Sequence, residues 1–154
     1  MSRLRLTTAV LALVGLGIAG YLTYVHYAGL KPFCLAGGGG CEKVQSSRWA
    51  ELAGVPVAVL GLAGYVAILA TLALPDELGR TAAALVALVG AGFSGYLTYL
   101  ELFQIHAICQ WCVASAVVMA ALAVVSVVRL LREDAAPPPA RAAAAGRLRQ
   151  PARR

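Results

Sequence analysis

Residues 15–24 read "GLGIAGYLTY" and residues 90–99 read "GAGFSGYLTY". Both contain G-x-G-x-x-G, the spacing that cradles a pyrophosphate when it follows a strand, opens a helix and has an acidic residue about twenty positions on. Here each copy lies inside an apolar run, and the nucleotide reading falls away. Small residues at three- and four-residue spacing instead let helices approach closely in lipid, where van der Waals contact drives association. The copies are offset by 75 residues. Gly15, Gly17, Gly20, Tyr21, Leu22, Thr23 and Tyr24 fall on Gly90, Gly92, Gly95, Tyr96, Leu97, Thr98 and Tyr99, and the same offset carries Cys34 onto Cys109. Two equivalent helices therefore run in the same direction, each delivering a cysteine just past its end.

Composition agrees with a membrane setting. Of the 154 residues 60% are hydrophobic and 13% charged, and the mean hydropathy is +0.78, far too apolar for an ordinary soluble domain. Four runs are long enough to cross about 30 Å of hydrocarbon as helices of roughly 20 residues: 6–27, 55–74, 81–103 and 109–131. Pro75 ends the second, and Asp76 reads as a cap for the third. The expected architecture is an all-α integral membrane protein, a four-helix bundle over residues 1–131. An outer loop, 28–54, carries a short helix at "SSRWAEL", with Ser46 or Ser47 at its N-cap. Arg3 and Arg5 ahead of an apolar run also describe a signal peptide. That run is longer than an h-region, lacks an A-x-A site and is echoed within the chain, so it reads as a retained helix.

The net charge of +6 does not point to nucleic acid, because seven of the 13 Lys and Arg residues lie at or beyond Arg129. Residues 132–154, rich in Pro, Ala and Arg, read as a disordered basic tail. With Arg3, Arg5 and Arg80, ten basic residues fall on one side of the spans, and Lys31, Lys43 and Arg48 fall on the other. The positive-inside rule then places both termini in the cytoplasm, and the 28–54 loop and the 104–109 turn outside.

All four cysteines fall on that outer side: Cys34 and Cys41 in the loop, Cys109 and Cys112 in "ICQWC". Even numbers facing an oxidising compartment suggest disulfides, and two structural bridges are the plain alternative. C-x-x-C at a helix start favours redox work: residues i and i+3 share a face, the helix N-terminus stabilises a thiolate, and such a bridge exchanges readily. Four consecutive glycines between Cys34 and Cys41 suit a mobile tether better than a rigid staple. A zinc site using His106 fits poorly, since structural sites usually pair two short ligand spacings; no metal is expected. His26, His106 and Glu101 read as interfacial residues, with a proton role as the alternative for His106 and Glu101.

Taken together, the loop cysteine pair, Ser47 six residues after Cys41, Trp49, "GVPVAVLGLAGY" at 54–65 and the final "CQWC" resemble the vitamin K epoxide reductase family, most closely its bacterial members. The resemblance implies a quinone-linked disulfide enzyme of the cell membrane, its active site facing outward at the end of a four-helix bundle. Cys109 and Cys112 match the redox pair beside the quinone, Cys34 and Cys41 the shuttle pair, and Ser47 the family serine at the active site. Trp49 reads as an apolar lid and Trp111 as a shield over the disulfide, both contacting substrate, with a membrane-belt tryptophan as the alternative for each. The implied acceptor is menaquinone, phylloquinone or ubiquinone. Bacterial members usually oxidise a thioredoxin-like partner, expected here to be a separate protein because the 23 residues after Leu131 are too few to fold one. Vertebrate members carry a tyrosine four residues after the second active-site cysteine, where this chain has Ala116. That departure points away from epoxide reduction. A non-catalytic scaffold or transporter is disfavoured because the spans carry almost no charge at mid-membrane.

Overall fold

The computed structural model describes residues 3–35 and 39–134. The expected basic tail from residue 135 on, and Ala36, Gly37 and Gly38 of the glycine run, lie outside the described residues. The elements, in chain order, are α1 (Arg3–Tyr27), α2 (Gly40–Gln45), a two-stranded hairpin of β1 (Glu51–Leu52) and β2 (Val55–Pro56), α3 (Val57–Thr71), α4 (Asp76–Leu100), a π-helical turn (Glu101–Ile105) and α5 (Gln110–Asp134).

Among the described residues three helices are long and apolar enough to cross a membrane: α1, α4 with its π turn, and α5. The fourth expected span is shorter. At 15 residues, α3 is about 22 Å long. Val55 and Pro56 pair antiparallel with Leu52 and Glu51 across a turn in which Ala53 and Gly54 both have positive φ, 53° and 80°. Two residues expected in the span are thereby spent on a hairpin, and Pro56, which can sit at an edge but has no N–H for a helical bond, marks where α3 begins. After Thr71 the chain winds into a looser turn, in which the amide of Leu74 donates to Thr71 O at 3.3 Å.

The short loop helix also lies elsewhere than expected. It is α2, whose buried Cys41 and Val44 sit three residues apart on one face. "SSRWAEL" is not helical: Ser46 is the C-cap of α2, and the Ser47 hydroxyl donates back to Val44 O at 2.8 Å. Nor does Asp76 cap α4. Pro75 holds that position and Asp76 opens the helix, where its negative charge suits the dipole and lies 3.7 Å from the Arg5 guanidinium.

The main packings join α1 to α3 and α5, and α4 to α3 and α5, so α1 and α4 stand on opposite corners of a four-helix bundle. Its core is Ala12, Ala19, Tyr65, Ile68, Ala87, Met119, Leu122 and Ala123. Small residues on α1 and α4 receive large ones from α3 and α5. Gly15 is the tightest case: a Cβ built there would stand 2.6 Å from Cδ1 of Tyr65 and closer still to two other ring atoms, and at its equivalent Gly90 a Cβ would meet Met119 Sδ at 2.8 Å. Gly17 and Gly92 face open space. Of the repeated glycines, then, only the first in each copy admits a bulky partner, and that partner is a side chain rather than a neighbouring backbone.

Arg5 bonds the Leu72 carbonyl at the end where α1 and α4 both begin. All four cysteines gather at the opposite end.

Candidate functional site

The cysteine end is assembled by backbone tethers from three directions. Leu35 N–H donates to Gln110 Oε1 at 3.0 Å, Trp111 Nε1–H donates to Phe33 O at 2.7 Å, and Phe33 N–H donates to the Tyr21 hydroxyl at 3.0 Å. The segment after α1 is thereby stitched to the start of α5. From the other side α2 closes in. At Gly40 an added Cβ would lie 2.5 Å from Ile108 O, and only glycine allows α2 that close to the chain ahead of α5. Gly39, the residue before α2, has φ +65°, a conformation glycine adopts without strain. Half of the glycine run therefore has a fixed steric purpose.

This closure buries Cys41 and Cys109 in one cluster with Val44, against which Cys34, Cys112, Trp111, Ile105 and Ala107 pack. Cys34 and Cys41 form a disulfide with Cα atoms 6.4 Å apart. Cys109 and Cys112 are thiols whose sulfurs lie 2.7 Å apart. The Cys112 amide points at Cys109 Sγ from 3.4 Å, as first-turn N–H groups do. The hydrogen bond from the Cys112 thiol, aided by that amide, holds the Cys109 thiol below its ordinary range, against its burial and the nearby Glu101 carboxyl. Gln45, four residues after Cys41 on α2, places Nε2 3.6 Å from Cys112 Sγ. Glu101 accepts the Cys109 N–H on Oε2 at 3.1 Å.

Beyond Cys112 lies an apolar cavity of about 150 Å³, roofed by Ser47 and Trp49 and walled by Leu22, Tyr65, Phe93 and Met119. Its polar groups are few. The Tyr65 hydroxyl pairs with Ser115 Oγ at 2.8 Å and donates to Ser115 O at 2.9 Å. Mostly apolar walls with a few convergent polar groups are the usual make-up of a small-molecule site. On the exposed side of the cysteines a second, open cleft is lined by Cys34, Cys41, Lys43, Glu101, His106 and Gln110.

The structure thus brings together Cys34, Cys41, Cys109 and Cys112, and sets Ser47 and Trp49 on the cavity beside Cys112. Trp111 is not among the cavity residues. It packs over the cysteine cluster with its ring centroid 5.0 Å from that of Tyr21, which draws Tyr21 into the site while Tyr24, Tyr96 and Tyr99 remain exposed. Trp49 carries the Arg48 guanidinium over its ring at 4.7 Å. Gln45, Tyr65 and Ser115 were not picked out from the sequence. Two of them follow helical spacing from a cysteine, Gln45 at i+4 from Cys41 and Ser115 at i+3 from Cys112, a usable signal once α2 and α5 are placed.

Comparison with known proteins agrees with this geometry. The sequence model of the Vitamin K epoxide reductase family matches residues 6–127. A stretch of 60 residues, 39% of this chain, is 42% identical to the thiol-disulfide oxidoreductase LTO1 of Arabidopsis thaliana; the match spans 15% of that protein's length.

Proposed function

The chain belongs to the vitamin K epoxide reductase family, and on that premise we propose that it is a membrane oxidoreductase that forms disulfides in extracytoplasmic proteins and passes the electrons to a quinone. One observation carries the proposal: Cys41 and Cys109 share a buried cluster, while Cys112, three residues on, lines an apolar cavity. A relay needs that sequence of neighbours. The four helices form the membrane domain, residues 1–131, with both termini cytoplasmic and the cysteine end outside. The hairpin ahead of α3 and Leu72–Leu74 behind it complete the second span. Residues 132–154 are a cytoplasmic tail.

The reducing partner is a separate thioredoxin-like protein. Its thiolate attacks Cys34, the more accessible member of the loop bridge, and Cys41 leaves as a thiolate. Buried against Cys109, Cys41 then attacks that sulfur when Cys109 and Cys112 are joined, and Cys112 leaves. Closing the partner's own disulfide and the Cys34–Cys41 bridge leaves Cys109 and Cys112 as the dithiol, with Cys34–Cys41 oxidised, the state the structure displays. Each step exchanges one S–S bond for another.

The lining suits a quinone: Phe93, Met119 and Trp49 would pack against a flat apolar ring, and Ser47 and Ser115 bring hydroxyls to the wall. A bound quinone would supply a sink for two electrons and two protons. Because the Ser47 hydroxyl donates to Val44 O, its oxygen would serve as an acceptor for the O–H of the hydroquinone product. Gln45 orients the Cys112 sulfur toward the cavity, and the Cys112 amide with the Cys112 thiol stabilises charge on Cys109. Menaquinone, phylloquinone and ubiquinone share this head-group chemistry.

The test is a trap and a turnover. In Cys112→Ala protein kept free of reductant, Cys109 should attack Cys41 of the intact loop bridge and expel Cys34, and the Cys41–Cys109 mixed disulfide should persist because Cys112 is not there to resolve it; a Cys34–Cys109 species reverses the order of the loop pair. Purified wild-type protein supplied anaerobically with a reduced thioredoxin-like protein should reduce one quinone per disulfide formed, and folded protein that reduces none refutes the proposal.

A further inference from the structure

The quinone reaction needs a route for protons as well as for electrons. Converting the Cys109–Cys112 dithiol to a disulfide breaks two S–H bonds and forms one S–S bond. Two electrons pass to the acceptor, and each of its two ring oxygens must gain a proton. Cys112 lines the cavity and Cys109 does not, so the Cys109 proton needs a carrier.

Glu101 stands where that traffic has to pass. At 4% exposure it is the one buried carboxyl among the described residues. It is also the single residue that lines both concavities, the apolar cavity beyond Cys112 and the open cleft on the exposed side. Its position is set by the change from α4 to the π turn at Glu101–Ile105. That turn is closed by His106 in a left-handed conformation, φ 51°, and by the Ala107 N–H, which donates to Glu101 O at 3.1 Å. Single π turns inside helices occur often at functional sites. The titratable groups facing Glu101 are Cys109 and Cys112 from the start of α5, Lys43 from α2 and His106 from its own turn, with Tyr65 from α3 across the cavity. Tyr65 is already engaged with Ser115. Only the carboxyl touches both compartments.

We propose that Glu101 is the proton-transfer residue linking the outer cleft to the buried redox pair and the cavity; this rests on the quinone reading above. Like charges close together in a buried site are not held together cheaply, so Cys109 thiolate and Glu101 carboxylate alternate. The proton leaving Cys109 is kept on Glu101, which gives it to a ring oxygen of the acceptor as the Cys109–Cys112 bond closes. The second proton comes from the Cys112 thiol. Dithiol plus quinone have become disulfide plus hydroquinone; when the loop pair next reduces the bridge, the Cys112 and Cys109 thiolates it releases take up two protons through the outer cleft that Glu101 lines, and the Cys109 thiol is ready to protonate the carboxylate again.

The bland role for this carboxyl is to accept the Cys109 N–H and fix the chain ahead of α5. Glu101→Gln separates the two roles, because an amide oxygen of the same shape still accepts that hydrogen bond while the side chain no longer carries an acid proton. The measurement is single-turnover quinone reduction by the reduced protein from pH 5 to 9, alongside reduction of the oxidised Cys109–Cys112 bridge by the reduced partner, an exchange in which Cys41 rather than Cys109 is the nucleophile. Glu101→Gln is expected to have that bridge reduced at the wild-type rate and to reduce quinone about 100-fold more slowly, the scale of a lost general acid. Its rate should lose the wild-type dependence on pH, and Glu101→Asp should recover part of both. A Glu101→Gln protein with the wild-type rate and profile overturns the relay alone. Equal losses in bridge reduction and in quinone reduction assign Glu101 to structure and also overturn it. A wild-type protein that reduces no quinone overturns the quinone reading and the relay with it.

Discussion

Substituting Gly15 by Ala tests how the bundle is held together. The added Cβ would enter the face of Tyr65, a ring with no exposure, and the ring cannot swing aside freely because its hydroxyl is tied to Ser115 on α5 at 2.8 and 2.9 Å. Overpacking of this kind costs about 1–3 kcal/mol, and a displaced hydroxyl forfeits about 0.5–1.5 kcal/mol of hydrogen bonding. Against this, Ala improves helix propensity over Gly by about 1 kcal/mol. The balance is a destabilisation of about 2 kcal/mol. Gly17, two residues on, has nothing within 4 Å of an added Cβ, so Gly17→Ala keeps only the propensity gain and its sign is opposite. Unfolding of both variants in detergent micelles provides the comparison. In a Tyr65→Leu background the ring is gone and Gly15→Ala should show only the propensity gain expected at Gly17, a coupling of about 3 kcal/mol, at the upper end of the range for residues in contact. Equal effects at Gly15 and Gly17, or a penalty that survives the loss of Tyr65, would refute the assignment of this glycine to receiving that ring.

Two further expectations concern the cysteine end. Gly40→Ala should push α2 away from Ile108 and part Cys41 from Cys109, slowing mixed-disulfide formation in the Cys112→Ala background while leaving the Cys34–Cys41 bridge formed. Wild-type trapping kinetics in that variant contradict the close-approach role. For Cys109 the sign follows from a lowered folded-state value: its thiolate should persist as pH falls below the ordinary thiol midpoint of about 8.5. Removing the donor in Cys112→Ala should move that midpoint upward, read by the ultraviolet absorbance of the thiolate in protein whose Cys34 and Cys41 are both replaced by Ala so that no mixed disulfide forms, and an unmoved midpoint assigns the effect to something other than the Cys112 thiol.

Much of the fold was legible because hydropathy and the repeat speak to the same variable, the length and direction of apolar helices. The ends of α1 and α5 fall within three residues of the expected spans. The second span failed at its start for a local reason. Ala53–Gly54 is a tight two-residue turn with positive φ at a non-glycine position, and an Ala there gives no warning of a hairpin, where Asn-Gly would have. The cysteines were legible as a group because their chemistry is carried by residue type and spacing. The tightening of the glycine run was not. "GGGG" looks the same whether glycine supplies mobility or permits contact, and only the distance from Gly40 to Ile108 O separates the two. Glu101 was visible as an unusual acid, but its standing between two compartments depends on the π turn, which has no sequence signature of its own.

The hydrogen bond from Leu35 to Gln110 has a meaning beyond its length, because those two positions are themselves 75 residues apart, the offset of the repeat. In a two-fold arrangement, a position that touches its own copy lies at the axis. The packing obeys the same relation: α1 on α3 matches α4 on α5, Gly15 receiving Tyr65 matches Gly90 receiving Met119, and α1 on α5 matches α4 on α3. The bundle is a pseudo-dimer of helical hairpins within one chain, and Cys34 and Cys109 are the same residue of its two halves. One half has let its cysteine out on a loop and the other has drawn it in beneath a π turn. In the relay proposed above, passage of electrons from Cys34–Cys41 to Cys109–Cys112 would be a transfer across a symmetry axis, between two halves of like shape.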